Sequence, residues 1–290
     1  MTMSTSRDHL LGMLTREFER VYLEVCARGF SALGRTSPDH PVVRDDAWQH
    51  HPAWPPSYEA YGRYRVLDTL RKARSLGPER VLEIATGGGF TAACLYEEGR
   101  EVVANDLQPT RELFGAWTTG ERLRWEAGDF FALDPERLGT FDLVLACEVI
   151  EHVAHGDRML AHLRRFLRPG GTLMLTTPNG AYFRSKLPTH SQVEDFTALE
   201  SRQFKPDADG HLFLYTGEEL ERMCRAAGFT QVDVELSVTP FLSGHAGVRL
   251  LPSRPALGRV YLALDKWVRR LGPAARERLC TQMLVTARGP

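Results

Sequence analysis

The chain lacks cysteines paired in a way that would hold a metal or a cross-link. Its five cysteines, Cys26, Cys94, Cys147, Cys224 and Cys280, are scattered with no C-x-x-C pair, which argues against both a zinc cluster and a disulfide scaffold. A reducing cytoplasm is the expected setting. The chain also lacks net charge. Thirty-six lysines and arginines balance 37 aspartates and glutamates, so no long-range field draws in nucleic acid or an anionic membrane. Without a lysine or arginine run, the electrostatic footprint of an RNA enzyme is missing. No apolar segment is long enough to cross a bilayer, and no basic region followed by an apolar run marks a targeting signal. Internal repeats and low-complexity tracts are absent too. What is present is 290 residues with 43% hydrophobic and 25% charged content, enough for one full α/β core with additions. A small, weakly charged partner is expected, and a monomer and a homodimer both stay open.

Periodicity sets the expected organisation. Residues 8 to 30 place Leu11, Leu14, Phe18, Tyr22 and Val25 at helical spacing, which reads as an amphipathic packing helix. Residues 36 to 64 interleave prolines, histidines and aromatics, a loop that serves as a substrate lid or as a tether. Residues 1–57 are therefore expected to form an N-terminal helix and lid, and residues 58–290 the main domain. From Tyr58 short apolar strands alternate with helices through "RVLEIA", "EVVANDL", "LRWEAGD", "FDLVLACEV" and "GTLMLTTP". That alternation predicts a Rossmann-like, doubly wound, mostly parallel sheet with helices on both faces. Ligands of such sheets bind at the carboxyl ends of the strands, where the strand order reverses. Two segments break the rhythm: an insertion at 180–216, and residues 240–281 with the amphipathic "LGRVYLALDKWVRRL". The final "QMLVTA" is expected to complete the sheet.

The turn "VLEIATGGGFTAA", residues 81 to 93, carries the first chemical signal. It fits the loose dinucleotide pattern G-x-G-x-x-A, and Asp106 at the end of the next strand is placed to hold a ribose, so a nicotinamide dehydrogenase has to be weighed. Glu83 separates the cases. A carboxylate at the end of the first strand opposes a pyrophosphate and favours a ligand bearing positive charge. S-adenosylmethionine, with an ammonium and a sulfonium, is such a ligand. The glycines let the backbone approach its amino-acid end, and Asp106 accepts from both ribose hydroxyls. The bland alternatives are a plain strand-to-helix turn and, for Asp129, a helix cap.

The ordered set "VLEIATGGG", "VVANDL", "AGDFF", "FDLVLACEVIEHV" and "LRPGGTLMLTTPN" resembles the class I S-adenosylmethionine-dependent methyltransferases over about residues 78 to 236. The resemblance implies that Glu83, Ala85, Gly87 and Gly89 line the methionine end. Asp106 and its neighbour Leu107 would flank the ribose, Asp129 with Phe130 would border the adenine, and Cys147 would lie beside the cofactor. Ala85 stands where the family usually has its first glycine.

The acceptor is read from "EVIEHV". Spacing of i, i+3, i+4 predicts that Glu148, Glu151 and His152 share one face of a helical turn. Two carboxylates and an imidazole suit a divalent cation such as magnesium, manganese or zinc. The E-x-x-E-H pattern resembles that of ubiquinone-pathway O-methyltransferases and small-RNA terminal 2'-O-methyltransferases, both of which have a later histidine. His211 in "DADGHLFLYTGEEL" occupies that place and is implied as a fourth ligand or a base, with His152 and Glu151 as further catalytic candidates. The alternative is capping by the glutamates and pocket lining by the histidine. His50, His51, His155, His190 and His245 lack ligand-like spacing. Trp48, Trp54, Tyr58, Tyr61, Tyr64, Tyr182, Phe183 and Phe204 either enclose an apolar acceptor or pack beneath the loops. The resulting expectation is O-methylation of a secondary metabolite or sugar-like small molecule. Metal-free C- or N-methylation, an RNA-terminal methyltransferase and a non-catalytic cofactor-binding protein are the alternatives.

Overall fold

The structure is a computed structural model that describes residues 56–87, 89–107, 122–203, 210–241 and 255–290. The helix expected over 8 to 30, most of the lid segment with Trp48 and Trp54, and Phe204 lie outside the described residues. So do His50, His51 and His245. The chain divides into two compact units, residues 1–76 with 238–276, and residues 77–237 with 277–290. The expected boundary at residue 57 thus falls within a helix of the first unit.

The second unit holds a seven-stranded sheet. Its strands are β1 (Arg80–Ile84), β2 (Glu101–Asp106), β3 (Leu123–Ala127), β4 (Phe141–Cys147), β5 (Leu167–Pro178), β6 (Gln231–Ser237) and β7 (Gln282–Arg288), in the order β3-β2-β1-β4-β5-β7-β6. The first five pair in parallel, and β7 runs antiparallel between β5 and β6. "QMLVTA" therefore enters the sheet as an inner strand, and all six of its residues are buried. β6 is edge-exposed on alternate residues, which is why "QVDVELS" does not read as an apolar run.

Helices cover this sheet as the apolar spacing requires. α2 (Phe90–Glu97), α4 (Gly156–Arg164) and α6 (Gly217–Ala226) pack on its strands, and the unit also holds α3 (Pro135–Leu138), α5 (Thr197–Glu200) and the second half of α8 (Pro273–Leu279). In α4, Met159, Leu160 and Leu163 are fully buried, each contributing about 1.5–3 kcal/mol of apolar burial. α6 begins at a reciprocal cap: Thr216 Oγ accepts from the Glu219 amide, and the Glu219 carboxylate accepts from the Thr216 amide.

The 180–216 insertion is tied to the sheet's carboxyl edge over its described part. Single bridges join Asn179 to Tyr215 and Thr189 to Leu214. Asn179 Nδ2 donates to the carbonyls of Glu277 and Cys280. His190, Phe196, Phe213 and Tyr215 pack as one aromatic cluster.

In the first unit, the described elements are α1 (Pro56–Leu76), α7 (Pro255–Val268) and the start of α8. Asp265, which is buried, accepts from Arg269 Nε at 2.8 Å, and Arg269 also reaches Asp68 of α1 at 3.8 Å.

Candidate functional site

The strand order reverses between β1 and β4, and the register brings Ile84 beside Ala146. A crevice at these carboxyl ends is where such sheets take ligands. The loop leaving β1 is strongly curled. Ala85, Gly87 and Gly89 have φ of 48°, 57° and 70°, the left-handed region that glycine occupies without a Cβ penalty. Ala85 keeps the glycine-like conformation where the sequence departs from the family, which costs about 1–2 kcal/mol.

Glu83 sits under this loop, only 3% exposed. Its carboxylate accepts from Thr86 Oγ at 2.8 Å, and Thr91 and the Ala92 amide bond it as well. Burial pushes its pKa up to about 7, against those hydrogen bonds, with a smaller push from Asp106. Glu83 thus ties β1 to the start of α2. Asp106 is half-buried at the end of β2 and accepts from the Gly87 amide at 2.7 Å. Leu107 beside it is exposed. Asn105, which sequence reasoning missed, is buried and donates from Nδ2 to the carbonyls of Glu126 and Gly128, both at 2.9 Å. It fixes the ends of β2 and β3 against each other. Because asparagine is usually exposed, a lone one inside "VVANDL" gives no pattern that would reveal this role.

Asp129 accepts from the Phe131 amide at 2.9 Å and so caps the short turn Phe130–Ala132. Phe130 points into the hydrophobic core, whereas Phe131 is partly buried against it. His162 shares a 2.9 Å hydrogen bond with the Phe130 carbonyl.

On the other side of the crevice the expected single helical face does not form. The turn Ile150–His152 is a 3-10 helix, and Glu148 precedes it with φ of 57°. That backbone turns Glu148 away to accept from Thr176 Oγ at 2.8 Å and from Gln282 Nε2. Glu151, His152 and His211 do come together, each offering a ligand atom within 4.8 Å of the others. The four-residue set expected from sequence is therefore three residues in the structure, with Glu148 held apart by β5 and β7. The rings of His152 and His211 meet edge-on at 5.0 Å. Their approach follows from one backbone bond, Leu212 N to the Glu151 carbonyl at 2.9 Å. Glu151 is fully buried, and its carboxylate accepts from Thr177 Oγ at 2.8 Å. One carboxylate and two imidazoles are a donor set that suits a borderline divalent cation. Cys147 is half-buried opposite Thr176.

The other candidates have separate roles. His155 pairs with Glu200 at 2.7 Å, and His190 stacks on Tyr215. Tyr182 is buried, Phe183 is exposed, and the side chains of Tyr58, Tyr61 and Tyr64 lie outside the described set.

A parallel sheet with its last strand inserted antiparallel, and a glycine turn closed by acids at the ends of β1 and β2, define the class I S-adenosylmethionine-dependent methyltransferase architecture. A family model described as a methyltransferase domain matches residues 58–234, and the chain belongs to that family. Among curated proteins it is similar to a ubiquinone biosynthesis O-methyltransferase of Rhizobium rhizogenes, 34% identical over 113 residues, covering 38% of this chain and 45% of that protein. The corresponding protein of Agrobacterium fabrum is 34% identical over 127 residues, covering 41% and 50%. The chain thus spans about half the length of these relatives. Among solved structures, the [4+2]-cyclase SpnF aligns with a TM-score of 0.50 at 18% identity, covering 84% of this chain and 86% of that one. Phosphoethanolamine N-methyltransferase 2 of Haemonchus contortus, bound to phosphomonomethylethanolamine and S-adenosylhomocysteine, also gives 0.50 at 18%, covering 77% and 52%. These two likenesses concern the fold.

Proposed function

We propose that the chain transfers a methyl group from S-adenosylmethionine to a hydroxyl oxygen of a small molecule. The observation that carries this reading is the grouping of Glu151, His152 and His211 across the crevice from the Gly87–Asp106 contact. Bound S-adenosylmethionine supplies an electrophilic methyl carbon on a sulfonium. Asp106 accepts from its ribose hydroxyls, and the Ala85–Gly89 turn offers backbone to its amino-acid end. Glu83 acts through the loop: it holds the turn in shape from beneath, which refines the direct ammonium contact expected from sequence. Leu107 and Cys147 are assigned to the rim of the cofactor site, and Asp129 with Phe130 to the turn at its adenine end.

An alcohol is a weak nucleophile near neutral pH, so its proton must be removed as the new bond forms. His152 or His211 takes that proton at an imidazole nitrogen. The oxygen bonds to the methyl carbon, and the electrons of the broken carbon–sulfur bond stay on sulfur. Where a divalent cation is held by Glu151, His152 and His211 instead, the two imidazoles would serve as ligands and not as bases, and the cation would lower the hydroxyl pKa so that the proton leaves to solvent. Alignment of oxygen, carbon and sulfur supplies much of the remaining rate. The likeness to ubiquinone biosynthesis O-methyltransferases supports an oxygen acceptor.

A second reading, metal-free transfer to carbon or nitrogen, is favoured by the burial of Glu151 and its bond to Thr177, which give that carboxylate a structural role. The test is transfer of labelled methyl from S-adenosylmethionine to a panel of small phenols, amines and sugars, before and after chelation. Chelator-sensitive labelling of hydroxyls supports the first reading. Labelling of amines or carbon acids alone, insensitive to chelator, supports the second.

A further inference from the structure

The turn that follows β3 is gripped by side chains from two other elements, one on each side of Asp129. Before it, Asn105 Nδ2 of β2 donates to the Gly128 carbonyl at 2.9 Å. After it, the Phe130 carbonyl takes a 2.9 Å hydrogen bond from His162, which stands 32 residues later on α4. A carbonyl only accepts, so Nε2 of His162 carries the hydrogen. Burial pushes the pKa of this imidazole below its ordinary value of 6.5, against the smaller pull of the Phe130 bond. At neutral pH it is a neutral donor.

The bond acts on Asp129 through a single peptide group. The carbonyl of Phe130 and the amide of Phe131 belong to the same planar unit, and that amide donates to Asp129 Oδ1 at 2.9 Å. A rotation of the plane that frees the amide must also pull the carbonyl from His162. Fixing the oxygen thus fixes the direction of the N–H, and with it the orientation of the carboxylate. Donation to the carbonyl also polarises the peptide, which makes its N–H a stronger donor. Packing alone does not call for this bond. The imidazole lies against the rings of Phe131 and Phe166, with centroids 5.7 and 5.3 Å away, contacts that a phenyl ring would also make.

We infer that His162 is a positioning residue for the cofactor: through the Phe130–Phe131 peptide it aims the Asp129 carboxylate at the 6-amino group of the adenine, and so makes the site prefer a 6-amino to a 6-oxo purine. The inference rests on the reading above in which Asp129 lies at the adenine end. A carboxylate accepts from an exocyclic amine, whereas a 6-oxo group meets it with lone pairs of its own.

The test is calorimetry of the full chain with S-adenosylhomocysteine and with S-inosylhomocysteine, its 6-oxo counterpart. The unaltered protein should prefer the adenosyl ligand about tenfold to a hundredfold. His162→Phe, which keeps a ring without a donor, and His162→Leu should each cut that preference to about threefold or less, by weakening the adenosyl ligand alone. His162→Gln keeps a side-chain N–H and should restore most of it. In the Asp129→Ala background His162→Phe should change the preference little further, because the two side chains act in series. Denaturant unfolding of each variant serves as the folding control. Equal weakening of both ligands in His162→Phe would reduce the histidine to a support of the fold and overturn the inference. A preference that survives both donor-free variants, or losses that add in the double variant, would overturn it as well. An unaltered protein that binds neither ligand, or both alike, would instead overturn the reading of the site, and the inference would fall with it.

Discussion

The two sides of the crevice are built on different principles. On the β1–β2 side the loop is held by backbone conformation and by short-range bonds: Glu83 to Thr86 spans three residues and Gly87 to Asp106 spans nineteen. On the β4–β5 side the groups are held by distant parts of the chain. Gln282 reaches Glu148 across 134 residues, and the 211–215 segment delivers His211 to His152 through the Leu212–Glu151 backbone bond. One side is thus a local motif, whereas the other is a meeting place whose members depend on how far segments are folded back. That difference suits a constant cofactor facing a variable acceptor.

The comparison is broken most directly at Asp106. Asp106→Ala removes the acceptor proposed for two ribose hydroxyls and the partner of the Gly87 amide, so affinity for S-adenosylhomocysteine should fall roughly a hundredfold by calorimetry. Unchanged affinity would remove Asp106 from the cofactor side.

On the acceptor side, Glu148 and His211 should behave differently. His211→Ala should weaken zinc or manganese binding by about ten- to a hundredfold, read by elemental analysis after dialysis against the ion. Glu148→Ala should leave ion content close to that of the unaltered protein. Equal losses in both would restore the four-residue set that the sequence suggests.

Thr177→Val removes the donor to the buried Glu151 carboxylate and should cost about 1–3 kcal/mol in denaturant unfolding. No loss would show that Glu151 is held by other groups.

A pH effect separates the two sides again. The Glu83 pKa in the folded protein is pushed up to about 7 by burial, above its ordinary value of 4.5. Its contribution to stability is therefore complete below that ordinary value and is lost as pH rises through about 7. Unfolding of the ligand-free protein, followed across this window, should show a decline that Glu83→Gln abolishes. The smallest effect is expected at Ala85, whose φ of 48° glycine adopts freely. Ala85→Gly should raise stability by about 1 kcal/mol or less, since relief of strain is partly offset by a freer unfolded chain.

What the sequence reveals follows the same division. The parallel sheet, the glycine turn and Asp106 are legible because apolar strand patterns and a contiguous motif encode them locally. β6 is hidden because an edge strand alternates in exposure and carries Asp233 and Glu235 among its apolar residues. Spacing alone groups Glu148 with Glu151 and His152, because it assumes a regular helix. The left-handed backbone at Glu148, fixed by the Thr176 and Gln282 bonds, has no signature in "EVIEHV". Asn105, Thr86 and Thr177 leave no trace in the sequence because each acts through side-chain hydrogen bonds, to backbone carbonyls or to Glu83 and Glu151, that no periodicity encodes. Only a resemblance points to His211, since no helical or strand period links it to His152.

The most direct test of the account is a calorimetric titration of the unaltered protein with S-adenosylhomocysteine, repeated in excess NAD. The account predicts one saturable site per chain that NAD does not displace, because the Gly87 amide, a donor that a pyrophosphate at the glycine turn would need, is taken by the Asp106 carboxylate. Absence of saturable binding, or displacement by NAD, would contradict it.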